Sequence, residues 1–382
     1  MPRPKVLHVG KFYPPYKGGM ETHLQQLCRA LQSDVDVEVI VANTSTQTVH
    51  DHDGEINVHH VGALANVASA PICPGMAKLI RNTSADIIHL HMPNPAAVVA
   101  LFASRHQAKI VVTHQSDVLR QRVLKLAYEP WLRWMMSRAS RIIALTPNYI
   151  QSSTTLLRYR EKCVAIPHGI NLAEFEQADP QQVAEIQNRF GSRIVLAVGR
   201  LVYYKGFEYL IRAISGTDAT VLIIGTGPLR EKLVALAHDS HVADRVHFLG
   251  EVDDVLPYYY AARIFVLASV ARTEAFGIVQ LEAMACGTPV INTSLDTGVP
   301  FVSLDRLSGL TVPPANSDAL RDAVVSLLYD DDLHHRLALG ARNRVREHFT
   351  VSRMAEQTLQ LYEEVLLEAP ATRQAKAATL VG

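Results

Sequence analysis

Short apolar runs alternate along the chain with stretches in which apolar residues return every three or four positions. The runs Val6–Gly10 and Val37–Ala42 predict buried strands, and Met20–Leu31 has the spacing of an amphipathic helix. The alternation continues through the predicted strands Asp86–His91, Lys109–Thr113 and Ile142–Thr146 and the predicted helix Ala96–Ser104. Strands that alternate with helices predict a parallel sheet covered by helices on both faces.

A second unit with the same pattern follows the polar stretch Glu174–Gln182. Its helices are predicted at Gly206–Ile214 and Leu229–His238, and its strands at Arg193–Val198, Val221–Gly225, Val246–Leu249, Ile264–Ala268 and Pro289–Thr293. We therefore predict an α/β fold of two doubly wound, Rossmann-like domains, residues 1–178 and 179–351.

Three segments outside this pattern carry their own predictions. Leu333–Val365 is helical apart from a break near residue 350, and the helix of about 352–368 is predicted to pack back on the first domain. Residues 45–60 are polar and contain four histidines, which predicts a loop or a short irregular hairpin. Residues 370–382, rich in Ala, Lys and Thr, are predicted to be disordered.

Composition limits the possible partners and location. Hydrophobic residues make up 48% of the 382 positions, enough for two cores, and 37 basic residues balance 37 acidic ones. A neutral balance argues against a nucleic-acid partner, which would select a basic excess. The four cysteines lack C-x-x-C spacing, and no run approaches the ~20 apolar residues of a membrane-spanning helix. With no signal core at its start, the chain is expected to be cytoplasmic.

Two glutamates mark the segment richest in candidate chemistry. Glu274 precedes a predicted helix, Phe276–Ala285, and Glu282 is predicted to lie two turns into it. Gly277 falls near the helix N-terminus, where free N–H groups and the helix dipole favour a phosphate. One carboxylate can then meet a sugar while the other reaches a ribose diol. The alternative is an acidic residue that complements the dipole and an exposed helical glutamate.

Two cations follow the first strand of the second unit. Arg200 and Lys205 lie at its carboxyl end, which is where ligands bind in open parallel sheets. Fixed cations of this kind stabilise a departing nucleoside diphosphate, Arg as a planar fork and Lys as a point charge. Taken alone, the pair is also consistent with two solvated surface cations.

These segments, in this order, resemble the retaining glycosyltransferase family four, which has the GT-B fold of two Rossmann-like domains facing a cleft. The family carries a Glu-x7-Glu motif, and seven residues separate Glu274 from Glu282. The resemblance covers nearly the whole chain, and its other motifs are Gly18-Gly19 followed by Glu21, Pro167–Asn171, Val198–Gly206 and Gly225–Leu229.

The resemblance implies a role for each matching position. The implied catalytic residues are Arg200, Lys205, Glu274 and His114, the last beside the donor sugar. The implied donor-binding residues are Gly18, Gly19, Val252, Phe276, Gly277, Ile278 and Glu282. Candidates for the acceptor side are His91 and Tyr16. Because the family often has glycine where Ser116 stands, the geometry around His114 stays open.

No metal site is predicted. His89 and His91 have i, i+2 spacing, but no acidic or cysteine partner is near them in the sequence. Asp51-His-Asp53 spells D-x-D, the metal-diphosphate motif of the other major glycosyltransferase fold, in a polar segment that no strand immediately precedes. The two cations and the helix dipole must then carry the charge, so we expect transfer without a divalent metal or any cofactor besides the nucleotide-sugar substrate.

The segment from residue 120 to 138 has an amphipathic pattern. At about 100° per residue, its apolar side chains, including Trp131 and Trp134, fall within a ~140° arc, with Arg122, Lys125 and Arg133 opposite. This pattern predicts either a helix on the inner face of the cell membrane or a helix packed on the protein core. Pro130 interrupts the phase of the pattern in both interpretations.

The resemblance further implies transfer with retention of anomeric configuration. We expect same-face substitution, in which the leaving phosphate helps to deprotonate the acceptor. The stretches Ile291–Pro300 and His91–Pro95 look most like bacterial mannosyltransferases of exopolysaccharide or lipopolysaccharide assembly. This favours GDP-mannose over a UDP-sugar, with a polyprenyl-diphosphate-linked sugar or growing glycan as the acceptor. A GT-B epimerase and a non-catalytic sugar-nucleotide binder are the alternatives.

Overall fold

The computed structural model describes residues 3–16, 18–67, 70–116 and 122–368, and for residues 122–127 it describes the backbone alone. The predicted tail at 370–382 and part of the predicted amphipathic segment lie outside the described residues. Within these ranges the chain forms two large β-sheets, one in each half, and a small two-stranded sheet.

The strands described in the first half are β1 Lys5–Val9, β2 Asp36–Ala42, β3 Val49–Asp53, β4 Ile56–Val61, β5 Ala65–Val67, β6 Ala70–Ile72, β7 Ile87–Met92, β8 Lys109–His114, β9 Arg141–Ala144 and β10 Cys163–Ala165. The large sheet has the order β10-β9-β8-β7-β1-β2-β4-β3, and every pair is parallel except β3 with β4. The chain order runs outward in opposite directions from β1 and β7, which therefore flank a switch point.

The strands described in the second half are β11 Ile194–Val198, β12 Thr220–Ile224, β13 Val246–Gly250, β14 Ile264–Val266, β15 Val290–Thr293 and β16 Gly309–Val312. They form a parallel sheet in the order β13-β12-β11-β14-β15-β16, so its switch point lies between β11 and β14.

Helices cover both faces of each sheet because alternate strand residues point to opposite faces. In β1, for example, Leu7 and Val9 join one buried cluster and Val6 joins the other. The described helices are α1 Gly19–Leu31, α2 Met76–Asn82, α3 Pro95–Ser104, α4 Arg122–Arg138, α5 Pro147–Ser152, α6 Pro180–Phe190, α7 Phe207–Ile214, α8 Arg230–Asp239, α9 Leu256–Ala261, α10 Val279–Ala285, α11 Val299–Val302, α12 Ser317–Tyr329, α13 Asp331–His348 and α14 Val351–Leu367.

The predicted fold class of two Rossmann-like domains is confirmed, and one local prediction needs correction. Residues 49–61 form a regular antiparallel hairpin of β3 and β4, not a loop or an irregular one. Ile56 and Val58 are buried at strand spacing, but the half-buried His59 and His60 that follow interrupt the alternation in the sequence. The short strands β10 and β16 were not predicted at all.

The predicted return of the C-terminal helix to the first domain is confirmed. α13 ends at His348, and Thr350 caps α14 by accepting a hydrogen bond of 3.1 Å from the backbone N–H of Arg353. α14 packs against α1, and Tyr362 and Val365 are fully buried in the core of the first domain. The last helix is therefore an integral layer of the first domain.

The chain crosses between the two domains at two points that lie side by side. The backbone N–H of Ile170 donates to the carbonyl of Phe349 at 2.8 Å, and the N–H of Val351 donates to the carbonyl of Ile170 at 3.1 Å. A side chain on Gly169 would overlap the carbonyl of Thr350, so this close approach requires glycine. Backbone hydrogen bonds therefore join the two crossings into one connection.

Candidate active site

The loops that carry the predicted cations and glutamates meet at the switch point of the second sheet. β11 and β14 are neighbours from which the strand order runs in opposite directions. The loops that follow them therefore flank one crevice at the carboxyl edge of the sheet. This topology brings Arg200 and Lys205 close to Glu274 although the sequence separates them widely.

Lys205 and Glu274 form a buried ion pair in this crevice. The Nζ atom of Lys205 lies 2.6 Å from Oε2 of Glu274, and each side chain is only 11% exposed. The hydroxyl of Ser269, which the sequence did not single out, donates to the same Oε2 at 2.9 Å. Burial opposes the charged form of Lys205, but the charge and hydrogen bond of Glu274 outweigh it, and the pKa of Lys205 is raised. The site thus holds a fixed cation.

Two glycines allow the loop after β11 to hold Lys205 in place. Gly206 has φ +65°, and a side chain there would overlap the carbonyl of Ala268, so the loop packs directly on the chain after β14. Gly199 has φ +151°, and a Cβ there would lie 3.1 Å from Cε of Lys205. The glycines in Val198–Gly206 are therefore required by the approach of these two loops.

Arg200 lies on the same side of the crevice as Lys205, with an exposed side chain. Burial raises the pKa of Tyr204, and the positive charges of Lys205 and Arg200 oppose that rise. Among the described residues, the Arg200 guanidinium makes no side-chain hydrogen bond or ion pair. It is available to an anion that enters the crevice.

Glu282 is held by a tyrosine that sequence reasoning missed. The hydroxyl of Tyr259 in α9 donates to Oε2 of Glu282 at 2.6 Å. Burial raises the pKa of Glu282, and the hydrogen bond from Tyr259 opposes that rise. Gly277 has φ +74°, so α10 begins only at Val279 and Glu282 lies in its first turn, not two turns in. Glu282 therefore lies closer to the N-terminal end of α10 than predicted.

The glycine pair of the first domain lies at the N-terminus of α1. A Cβ on Gly18 would overlap the carboxylate of Glu21, which is buried over it. A Cβ on Gly19 would lie 3.2 Å from Cδ1 of Ile278 in the second domain. Gly19 and Ile278, both predicted to bind the donor, therefore face each other across the cleft.

His114 is buried at the end of β8, and its Nδ1 atom lies 3.0 Å from the hydroxyl of Tyr149 in α5. The first residue before α5, Thr146, approaches Gly298 of the second domain so closely that a Cβ on Gly298 would lie 2.9 Å from its methyl group. Gly298 in turn donates its N–H to the carbonyl of Ala275 at 2.8 Å. Through these contacts the surroundings of His114 meet the loop of Glu274.

The remaining predicted residues differ in how they meet the cleft. Phe276 is buried against His168 of the first domain, with ring centroids 5.3 Å apart, so only its backbone is free to contact a ligand. Val252 is half-buried after β13. Tyr16 is exposed and stacks on Phe12 at 4.3 Å, in the loop between β1 and α1.

His91, predicted to lie on the acceptor side, is buried among other histidines in this structure. It is 2% exposed, and its Nε2 atom lies 3.1 Å from Nδ1 of His8 on the neighbouring strand β1. His89 lies on the same face of the sheet, with its Nδ1 atom 2.5 Å from the hydroxyl of Tyr362. His23 adds a fourth buried ring, 5.8 Å from that of His91. The predicted acceptor residue belongs to a core network.

The imidazoles of His8, His89 and His91 lie about as close together as the ligands of a metal ion. One nitrogen from each lies within 4.8 Å of the others. The sequence argument against a metal missed His8, because only strand pairing brings it beside the other two. Hydrogen bonds join these rings to one another and to their neighbours: Nδ1 of His8 lies 3.1 Å from His91, and the two nitrogens of His89 lie 2.5 Å from Tyr362 and 2.6 Å from Thr113. These contacts describe a hydrogen-bonded core network, and the prediction of no metal site stays a prediction.

The D-x-D sequence lies on β3 at the sheet edge, where Asp53 is a structural acceptor. Its carboxylate accepts hydrogen bonds of 2.7 Å from Tyr13, 3.1 Å from Gln25 and 2.7 Å from Arg29. These partners come from the loop after β1 and from α1, so Asp53 fixes the hairpin to that helix.

Two family models match the chain in succession. Residues 17–174 match the model described as Glycosyltransferase Family 4, and residues 180–344 match Glycosyl transferases group 1. The O-antigen chain mannosyltransferase C of Escherichia coli is 32% identical over 95% of this chain and 99% of its own. The chain belongs to glycosyltransferase family 4.

Other relatives of this glycosyltransferase differ in the sugar that their names give. The D-rhamnosyltransferase WbpZ of Pseudomonas aeruginosa is 33% identical, with 98% of this chain and 100% of that protein covered. A GDP-mannose-dependent monoacylated α-(1-6)-phosphatidylinositol monomannoside mannosyltransferase of Corynebacterium glutamicum is 28% identical over 89% of this chain and 92% of its own. The comparison supports a glycosyltransferase of polysaccharide or glycolipid biosynthesis.

The fold of the glycosyltransferase is shared with solved GT-B structures. Sucrose-phosphate synthase from Thermosynechococcus elongatus superposes with a TM-score of 0.79 at 22% identity and covers 95% of this chain and 99% of that one. At this identity the likeness concerns the fold alone. No described helix of the glycosyltransferase is long and apolar enough to cross a membrane.

Proposed function

We propose that the enzyme transfers mannose from GDP-mannose, with retention and without a divalent metal, to a lipid-linked sugar or growing glycan in exopolysaccharide or lipopolysaccharide assembly. The observation that carries the proposal is the buried pair of Lys205 and Glu274 at the switch point, opposite the glycine pair of α1. A nucleoside diphosphate in this crevice meets the cation of Lys205, and Oε1 of Glu274 takes no part in the contacts with Lys205 or Ser269.

The chemistry follows from this arrangement. As the bond between the sugar C1 and the phosphate oxygen breaks, negative charge grows on the diphosphate, where Lys205 and Arg200 stabilise it. The acceptor hydroxyl forms the new bond to C1 on the same face and gives its proton to an oxygen of the leaving phosphate. Glu274 orients the sugar, and Glu282, held by Tyr259, accepts from the ribose hydroxyls.

The sugar and base are proposed from the relatives. Two of them are named as mannosyltransferases, one with GDP-mannose as the donor. A UDP-sugar is the second candidate for the donor, since the base is to be read by backbone groups near Val252 that do not by themselves distinguish guanine from uracil.

Nucleotide binding tests the donor. We expect GDP at 100 times its Kd to stabilise the folded enzyme by about 2.7 kcal/mol and to raise Tm on the order of 5 °C. UDP and ADP should raise it less. The measurement is a thermal-shift series, with Glu282→Gln as the variant that should weaken all three nucleotides. A larger shift with UDP selects the UDP-sugar alternative, and no shift with any nucleotide contradicts the proposed function.

Removal of divalent metals tests whether Lys205 and Arg200 alone stabilise the charge of the leaving diphosphate. Transfer to an acceptor glycan should continue at an unchanged rate in excess EDTA, because Lys205 and Arg200 supply the positive charge and Asp53 is committed to Arg29 and Tyr13. The rate is measured before and after dialysis against the chelator. If Mn²⁺ or Mg²⁺ is needed to restore activity, the cation pair does not suffice.

We further propose that the enzyme binds the inner face of the cell membrane peripherally, through α3 and α4. Trp131 and Trp134 pack partly buried against the core of the first domain, so they form less of the outer face than the sequence pattern predicted. Their rings meet that of Phe102 at 4.8 and 5.0 Å, and Phe102 and Val99 are 45% and 42% exposed. The exposed apolar feature is therefore on α3.

Liposome binding tests this surface. Phe102→Ser should weaken the binding constant for anionic liposomes, measured by co-sedimentation, roughly 10- to 10²-fold, because burial of an aromatic ring contributes roughly 1.5–3 kcal/mol. Leu339→Ser is the matched control, since Leu339 is an exposed apolar residue of the second domain, on α13. Equal binding of both variants and of the wild-type enzyme would show that α3 does not contact lipid.

A further inference from the structure

Arg272 joins the two domains beside the candidate active site. It lies in the loop between β14 and α10, two residues before Glu274. Its Nη2 atom donates to the backbone carbonyl of Ser152 at 2.8 Å and approaches the Ser152 hydroxyl at 3.2 Å. Ser152 is the last residue of α5 in the first domain. A residue of the second-domain loop that carries Glu274 therefore binds the first domain directly.

Asp296 contacts both Arg272 and Ser152, so the three residues form a closed ring of hydrogen bonds. Nη1 of Arg272 donates to Oδ2 of Asp296 at 2.7 Å, and the hydroxyl of Ser152 donates to the carbonyl of Asp296 at 3.0 Å. We call Arg272, Ser152 and Asp296 the latch. Its charged hydrogen bond to the C-terminal carbonyl of α5 is of the stronger kind, since a cation also complements the negative end of a helix.

Both partners of the latch connect to groups of the candidate site. On the first domain, α5 carries Tyr149, whose hydroxyl lies 3.0 Å from Nδ1 of His114. On the second domain, the loop of Arg272 carries Glu274, which pairs with Lys205 at 2.6 Å. The latch therefore fixes the distance between His114 in the first domain and Glu274 in the second. The latch forms only while the cleft is closed, because Ser152 and Asp296 belong to different domains.

We propose that Arg272 is a positioning residue for the reaction, which holds the domains in the reactive arrangement without touching the donor; this rests on the proposed function. A displacement of about 1 Å between reacting groups can lower a rate on the order of 10²-fold. Opening of the latch therefore lowers kcat, whereas the affinity for the nucleoside diphosphate is largely preserved, because Arg200, Lys205 and Glu282 all belong to the second domain and only the glycine pair of α1 belongs to the first.

The test compares Arg272→Met and Arg272→Lys with the control Arg321→Met. Arg321 lies on α12 of the same domain, is 39% exposed where Arg272 is 36% exposed, and pairs only with acidic residues of its own helix. For Arg272→Met we expect kcat to fall roughly 10- to 10²-fold, with the Kd for GDP and UDP, measured by calorimetry, within about twofold of wild type. Arg272→Lys should recover part of the loss, because it restores the charge but not the fork.

Small-angle X-ray scattering supplies a second readout. The radius of gyration of Arg272→Met should exceed that of the wild-type protein and of Arg321→Met, because the cleft is released. An unchanged kcat, an unchanged radius, or a Kd weakened by the same factor as kcat would each overturn the proposal. Scattering of the free protein needs no donor, so it still tests the latch if the wild-type chain binds no nucleotide, a result that would instead overturn the proposed function.

Discussion

Lys205→Ala should lower kcat by roughly 10²–10³, the cost of removing one preorganised group at a site where charge develops. The donor KM should change far less, because an interaction made mainly in the transition state acts on kcat. Lys205 is a buried cation that forms an ion pair with Glu274, and no other cation of the described residues pairs with that carboxylate. Steady-state kinetics with a saturating acceptor measure both constants.

Two further variants serve as controls for this interpretation. Lys205→Arg keeps the charge but should recover only part of kcat, since a planar guanidinium does not fit the place of a compact ammonium between Gly199 and Glu274. Lys232→Ala, at an exposed position on α8, should change neither constant. Because removal of Lys205 leaves Glu274 unpaired, the fold of each variant is checked by circular dichroism. A large rise in KM at unchanged kcat would make Lys205 a ground-state binding residue.

Unfolding at mildly acidic pH is the second large effect that we expect. Burial lowers the pKa of His8 and His23 to about 3, and that of His89, His91 and His168 well below its usual value. These rings stay neutral in the folded state but bind protons near pH 6.5 once unfolded, so their contribution is complete above that pH and is lost as the pH falls. For five such rings the free energy of unfolding drops on the order of 7 kcal/mol between pH 7.5 and 5.5.

That drop is comparable to the whole stability of a typical domain, so the first domain should unfold between about pH 6 and 5. Guanidinium titrations at pH 7.5, 6.5 and 5.5 measure it. His23→Met should weaken the pH dependence by about one ring's share, since both nitrogens of His23 lack a partner among the described residues. His52→Gln, at an exposed position, is the control. The same slope in His23→Met and wild type would mean that His23 is protonated in the fold.

Much of the fold was predictable because long parallel strands are buried on both faces and stand out as apolar runs. Strands such as Val37–Ala42 and Val221–Gly225 end within about one residue of their predicted limits, within the usual spread of boundary assignment. The regular pairing of the hairpin β3–β4, for which a loop or a short irregular hairpin was predicted, was not evident because the hairpin lies at the sheet edge, where one face is solvated and the histidines of β4 interrupt the pattern.

Only those features of the candidate site that lie within one continuous segment of the sequence were predictable. Lys205 and Glu274 each follow a strand, and the carboxyl-edge rule places such loops in one crevice. Contacts that depend on strand order, helix docking or domain closure have no local pattern. Tyr259 reaches Glu282 from another helix, and His8 meets His91 only because β1 pairs with β7. For that reason the sequence indicated neither the contact of His91 with His8 nor the contacts of Arg272, and the acceptor-side role of His91 stays a prediction.

The paired crossings at Ile170 and Phe349–Val351 limit how the two domains can move. A single covalent strand would act as a swivel with several free rotations, whereas two strands that are hydrogen-bonded to each other resist twisting and sliding. We expect the remaining low-energy motion to be a rotation about one axis near Gly169, where the two crossings touch. One angle then describes how far the cleft is open. Donor entry, latch formation and product escape must therefore occur in sequence as that angle changes.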